Sequence, residues 1–345
     1  MSQAFRDLLK IIGSGTHTGG DLTREQSAQA TEMMLRQIAT PAQIGAFMIA
    51  HRIKRPTFSE LAGMLDTYEN LGPRLESQTL ANQSVVVFGV PYDGRSRTVP
   101  ILPITALILA SEGVPVIMHG GNSMPTKYGI PLVQMWQALG VDFTTLSLPQ
   151  LQRQLETTKL TFVYTPQHFP AAEGLVPYRD QIGKRPPIAT VELIWSPYRG
   201  QQHQISGFVH PPTEDRFRET LPLKGVHHFT TVKGLEGSCD LACSRTAIIG
   251  LGNSTFERLL LKPQDYGFSP LDVPLVSGEE MLKLWQELLA GQTNVLTDTA
   301  IFNGGFYLWR CGVSGDLSTG FARAEELLNK GKVWEKLQEI SLFRL

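Results

Sequence analysis

A histidine, an asparagine, a serine, a threonine and a lysine crowd into His119-Gly-Gly-Asn-Ser-Met-Pro-Thr-Lys127, directly after the apolar run Val114-Pro-Val-Ile-Met118. A buried parallel strand that breaks into such a loop carries polar groups to the carboxyl end of a sheet, where α/β folds usually take their ligands. Gly120 and Gly121 allow close backbone approach, Lys127 adds a cation, and Asn122, Ser123 and Thr126 add donors, so these residue types suit an anion cradle. A plain glycine-rich turn between strand and helix would use the same residues. A second polar loop, Pro91 to Val99, follows the apolar run Val85-Val-Val-Phe-Gly-Val90 and holds Asp93, Gly94, Arg95 and Arg97. Guanidinium forks at Arg95 and Arg97 suit phosphate, and the competing reading is two exposed arginines in a mobile loop.

The elements that must position these loops are legible as changes of period. Residues 1 to about 72 are helical: Thr23 with Gln26 and Thr57 with Glu60 have capping-box spacing, and Thr40 precedes Pro41 at a first helical position. At Val85 the pattern becomes strand (Val85–Val90), loop, apolar helix (Ile101–Ala110) and strand again (Val114–Met118), a unit of a mainly parallel sheet covered by helices. Further strands are expected at Thr161–Thr165, Ile205–Val209 and His228–Val232, with helices near 130–139, 174–194 and 212–220. Arg245 to Tyr266 is β-like and is expected at one sheet edge. Glu279–Leu289, Val295–Arg310 and Ser318–Ile340 close the chain as helices. The expected fold is α/β: a small helical domain over 1–72 and a larger α/β domain over 80–345, which also has room to return a helix to the first.

The 345 residues, 42% of them hydrophobic, are enough for a substantial core. No apolar run approaches a membrane span, and no basic start followed by an apolar segment marks a secretory signal. A soluble, cytoplasmic protein is expected. Cys239, Cys243 and Cys311 form no paired framework, which favours reduced thiols. His203, His210, His227 and His228 lack compact metal-ligand spacing. The formal net charge of −1 gives no global attraction to nucleic acid, so any basic surface must be local.

The loop His119-Gly-Gly-Asn-Ser123, with Lys127 and Gly129, resembles the His-Gly-Asn-Arg-Ser loop of the anthranilate phosphoribosyltransferases, the family-3 glycosyltransferases. Leu22-Thr-Arg-Glu-Gln26, Ala46 to Lys54 and Glu60-Leu-Ala-Gly63 resemble that family's helical domain, and Asn303-Gly-Gly305 and Gly331 to Leu337 its closing helices, so the likeness spans nearly the whole chain. It implies a nucleoside phosphorylase/phosphoribosyltransferase-like architecture, a homodimer through the N-terminal helices, and Mg²⁺ arriving with bound diphosphate. The departures are specific. The family's Gly-Thr-Gly-Gly-Asp turn corresponds to Gly89-Val-Pro-Tyr-Asp93, and its Asn-x-Ser-Thr to Pro100-Ile-Leu-Pro103. Its metal-binding Asp-Glu pair aligns with Cys239-Asp240, leaving Asp240 and, nearby, Glu236 as weak candidate ligands. Pro177-Tyr-Arg179 retains the acceptor-side pattern, and Arg179 falls on the arginine that meets the aromatic acid's carboxylate; its plainer role is a surface ion pair with Asp180 or Glu173.

The resemblance implies transfer of a phosphoribosyl group from phosphoribosyl diphosphate (PRPP), or use of another phosphorylated sugar or nucleotide, with an aromatic amine or acid as acceptor. Asp93, Gly94, Arg95, Arg97, His119, Gly120, Asn122, Ser123, Lys127 and Arg179 are the expected binding residues. No general base is identifiable, and the altered donor loops argue against ordinary tryptophan-pathway activity. The alternative is a non-catalytic homologue that binds nucleic acid through a basic strip of Lys184, Arg185, Arg216, Arg218, Arg258 and Lys262 on a dimer.

Overall fold

The computed structural model describes residues 2–15 and 18–343. Four helices open the chain: α1 (Gln3–Gly13), α2 (Arg24–Leu35), α3 (Pro41–Lys54) and α4 (Phe58–Leu71). Thr23, Thr40 and Thr57 each accept from the amide three residues on, and Gln26, Gln43 and Glu60 reach back to the cap amides, completing three capping boxes. Glu60 is fully buried and also accepts from the Leu22 amide at 2.9 Å and from Lys54 Nζ at 2.8 Å. Its carboxylate therefore ties the start of α2 to the end of α3.

The sheet runs β1 (Val85–Gly89), β2 (Val116–Gly120), β3 (Leu160–Tyr164), β4 (Gln202–Gly207), β5 (Phe229–Val232), β6 (Ala247–Gly252) and β7 (Phe256–Leu261). Its spatial order is β3-β2-β1-β4-β5-β6-β7. The first five strands pair in parallel, and β6 and β7 add an antiparallel edge. Between β1 and β2 lies α5 (Leu102–Ser111), buried from Leu102 through Ala110 because the sheet covers one side and the late helices Thr297–Arg310 and Lys332–Ser341 cover the other. β1 and β2 are sheet neighbours, so their carboxyl-end loops must emerge side by side.

Two expected elements differ and one helix is additional. The segment 174–194 is two short helices, Val176–Gln181 and Ile188–Val191, interrupted by Gly183 at φ +59° and by Pro186-Pro187, which cannot donate to a helical ladder. Ser318–Ile340 is split into Leu317–Asn329 and Lys332–Ser341 at Gly331, whose φ is +70°. The additional helix is Leu148–Thr158, begun by a Ser147–Gln150 capping box. One hydrophobic core surrounds the sheet; a second joins α1–α4 to a returning segment that includes Phe169, Leu175, Ile188, Val191 and Trp195. The site described next lies between these cores.

Candidate functional site

The tips after β1 and β2 do meet, and they are stitched to one another. The Gly129 amide donates to Asp93 O at 2.8 Å, Arg95 N to Ile130 O at 3.1 Å, and Ile130 N to Arg95 O at 2.7 Å. Gly94 sits at φ +77°, and a Cβ there would lie 2.6 Å from the backbone of Gly129 and Ile130. Backbone amides at both tips are thus spent on the facing loop rather than offered to a ligand.

The charges are spent in the same way. Arg95 is 3% exposed, not a fork offered to solvent. Its Nε donates to Glu236 Oε1 at 3.2 Å, its Nη1 to Ser238 Oγ at 2.9 Å and to Asp240, and its Nη2 to Thr98. Glu236 further accepts from the amides of Ser96, Arg97 and Thr98 at 3.0–3.1 Å and pairs with Lys127. Burial alone would raise its carboxyl, but Lys127, Arg95 and those amides hold it well below the usual carboxylate range. Lys127 also donates to Gly94 O at 2.9 Å. Asp240 accepts from the Ile101 amide at 3.2 Å, at the N-terminus of α5, where a bound phosphate would profit from the same amide and dipole. The cradle therefore holds the protein's own carboxylates. About 30 Å³ remains among Val90, Pro91, Arg95, Pro100, Leu102 and Asp240, far below the ~300 Å³ at which ligand pockets begin.

His119 is buried between the Tyr92 hydroxyl at Nδ1 and the Trp195 carbonyl, 3.1 Å from Nε2. Since Nε2 must donate to that carbonyl, Nδ1 accepts from Tyr92; burial pushes the imidazole down to about 3, and the ring stays neutral. Asp93 is buried against Arg185, 3.4 Å away. Arg97 is exposed. Gly120 ends β2 in register with Tyr164, Asn122 accepts from the Tyr164 hydroxyl at 2.8 Å, and Ser123 makes a long bond, 3.5 Å, to Gly129 O.

Arg179 is 2% exposed, so the surface ion pair is overturned. Asp180 bonds Tyr128 instead. The partner of Arg179 is Glu192, with Nη1 3.1 and 3.3 Å from its two oxygens, and the same Nη1 lies 3.1 Å from Met124 Sδ. Burial raises the Glu192 carboxyl against the pull of Arg179. Glu192 escaped sequence analysis, although a lone carboxyl within the apolar stretch Ile188 to Ile194 was the available signal.

As arranged, Asp240 and Glu236 do not fit Mg²⁺, because the Arg95 guanidinium already lies on both carboxylates. Among the described residues no group of three or more His, Cys, Asp or Glu side chains could hold a metal ion. Cys239, Cys243 and Cys311 are free thiols. Among the described residues no helix is long and apolar enough to cross a membrane.

Residues 93–334 match the model of the glycosyl transferase family a/b domain, and residues 6–72 that of its helical bundle domain. The chain belongs to the family-3 glycosyltransferases, the anthranilate phosphoribosyltransferase family. Anthranilate phosphoribosyltransferase of Desulfatibacillum aliphaticivorans is 28% identical over 98% of both chains, and that of Teredinibacter turnerae is 27% identical over 94% of this chain and 96% of its own. In fold, the chain is similar to the Thermus thermophilus enzyme (TM-score 0.79, 18% identity, 99% and 98% of the two chains). It is also similar to the Saccharomyces cerevisiae enzyme in complex with PRPP and Mg (TM-score 0.83, 14% identity, 98% and 97%).

Within this family-3 glycosyltransferase, the departures from the Gly-Thr-Gly-Gly-Asp turn have a visible consequence. Pro91 has no amide to offer, and Tyr92 turns inward to reach His119. Part of the expected basic strip is paired with carboxylates: Arg258 forms two 2.7 Å bonds to Glu214, Arg218 lies 3.6 Å from Asp215 and Lys262 3.6 Å from Asp265, while Arg216 Nε bonds an uncharged acceptor, Pro56 O, at 2.8 Å.

Proposed function

We propose that this family-3 glycosyltransferase is a phosphoribosyltransferase-like protein whose donor site is self-filled. It takes a PRPP-class donor weakly, and transfer to anthranilate is slow or lost. The observation that carries this reading is the Arg95–Glu236–Asp240–Lys127 network, which puts internal carboxylates where a diphosphate would need amides and cations. Two chemical demands of phosphoribosyl transfer are a held diphosphate and an acceptor in line with the sugar. The residues for the first are present but mutually neutralised. Donor entry requires Glu236 and Asp240 to release Lys127, Arg95 and the α5 amide. Mg²⁺, if used, would enter with the diphosphate once Arg95 has moved, and no step is assigned to it.

The test is calorimetric titration of the full chain with PRPP, with and without Mg²⁺, beside a product assay with anthranilate. Saturable binding in the millimolar range with turnover ~10²–10³-fold or more below that of the family's anthranilate enzymes is expected, the scale of losing electrostatic transition-state contacts. Turnover at family speed would overturn the self-filled site, and absence of donor binding would overturn the transferase reading.

A second reading, polyanion binding, rests on one cluster. Arg52, Arg55 and Lys184 are exposed and have no ion pair among the described residues, and Arg52 donates to Arg185 O at 2.9 Å. Arg55 lies close enough to Arg216 for like-charge repulsion, which, after burial, lowers the Arg216 pKa. Single-stranded oligonucleotide binding that weakens steeply with salt, and that the Arg52→Glu/Lys184→Glu double variant abolishes, would favour this reading.

A further inference from the structure

Beside the closed donor site lies a set of buried polar groups without a hydrogen-bond partner among the described residues. The set is Arg179 Nε and Nη2, Glu173 Oε2 and Thr165 Oγ1; Arg179 is 2% and Thr165 3% exposed. Thr165 Oγ1 and Glu173 Oε2 border Gly121, and Arg179 reaches the same loop at Met124. A Cβ at Gly121 would lie 3.0 Å from Thr165 Oγ1, 3.3 Å from Glu173 Oε2 and 3.4 Å from Met124 Cε, and the Met124 sulfur touches Arg179 Nη1 at 3.1 Å. Between Thr165 and Glu173 in the chain, Phe169 packs with Tyr68 and Trp195, the three ring centroids 5.1–5.8 Å apart. Buried donors and acceptors are ordinarily paired, and an unpaired set of both kinds describes the complement of a missing molecule.

The charge balance says which molecule. Arg179 is already neutralised by Glu192, and Glu173, whose carboxyl is raised by burial and then by the nearby Glu192 charge, adds a further acid. A carboxylate ligand would share one guanidinium with two side-chain carboxyls. An amide would meet both vacancies: its carbonyl accepts from Arg179 Nε or Nη2, its N–H donates to Glu173 Oε2, and no third anion is added. We propose that the acceptor site of this protein selects a neutral aromatic amide, a carboxamide or ring lactam, over an aromatic carboxylate, with Glu173 as the specificity-determining residue. The proposal rests on the transferase reading for calling this the acceptor site, but not for the ligand class. Gly121 leaves less than a methyl's space, so binding requires the segment 165–175 to separate from the loop after β2.

The experiment compares two probes of nearly equal shape, 2-aminobenzamide and 2-aminobenzoate, titrated into the full-length protein at neutral pH without donor. The amide is expected to bind about tenfold tighter or better, the scale of one satisfied polar contact set against an added like charge. In Glu173→Gln, which removes the charge and supplies a donor, the acid is expected to gain and the preference to shrink to about threefold or less. Glu173 is half-buried and makes no ion pair among the described residues, so this variant should fold, and its circular dichroism and melting temperature are checked alongside. Equal or tighter binding of the acid to the wild type, binding of neither probe, or an unchanged ratio in Glu173→Gln overturns the proposal. Since PRPP is absent, failure here is separable from failure of donor binding.

Discussion

At the residue scale, the informative groups are charges buried against each other. Arg95 was legible as a phosphate-suited fork, but not that Glu236, 141 positions on, would fill that fork; long-range pairing leaves no local pattern. The consequence is testable. Removing one member of a buried, hydrogen-bonded ion network strands the others, which typically costs ~3–5 kcal/mol. Arg95→Ala should therefore lower stability by about that amount in urea unfolding, whereas loss of a ligand-facing arginine would leave stability within ~0.5 kcal/mol. His119 makes a pH prediction. Its folded-state pKa is about 3 and its unfolded value is near 6.5, so between those limits the unfolded chain binds the proton and the folded chain does not. Stability is full above the unfolded value and falls as pH drops through this window, by up to ~1.4 kcal/mol per pH unit for one proton. His228, pushed down to about 4 by burial and then by Arg310, adds to the same limb. His119→Gln should make the slope of stability against pH shallower by about one proton, and an unaltered slope between pH 6 and 4 would refute a neutral His119.

At the element scale, the two loops act as one closed clasp, and glycine makes the closure possible. Gly94 combines a left-handed φ with backbone packed where a Cβ would go. Alanine there should cost about 2 kcal/mol or more, from strain plus displacement of the facing loop, and should raise amide exchange at Gly129 and Ile130, whose bonds close the clasp. Unchanged melting temperature and exchange would show that the clasp is already open in solution. The strands and apolar α5 were legible because their burial sets a run length and a period that local sequence must honour. The break at 183–187 was less so: Gly183 and Pro186-Pro187 were present as punctuation, but the apolar spacing of Ile188 to Ile194 concealed it. Tyr92 stands in the β1 loop where the family has glycine, which the sequence displays; that it bonds His119 depends on the neighbouring strand's position.

At the scale of the whole molecule, the helical region and the sheet are joined through the returning segment, and the charged site sits on that seam. Arg185 connects the two sides, pairing with Asp93 at the β1 tip while its carbonyl accepts from Arg52 on α3. Motion of α3 relative to the sheet would thus be felt at the donor loop. The family's layout, legible from motifs spread over nearly the entire chain, further implies that the helical region meets a second copy. Ile53, 70% exposed, and Phe58, 46% exposed, are apolar side chains that water covers in the isolated chain; such residues at an interface contribute by losing that contact, roughly 25 cal/mol per Å² of apolar area. The protein should therefore run at twice the chain mass in light scattering at micromolar concentration. Ile53→Glu, which would bury a charge in such a contact, should shift it to the monomer without lowering the melting temperature of the isolated chain. A wild type that remains monomeric would separate this protein from the dimeric arrangement of its family. A dimer insensitive to Ile53→Glu would move the contact away from the α3 end, and leave Arg52 and Arg185 free to couple domain motion to the donor loop within a single copy.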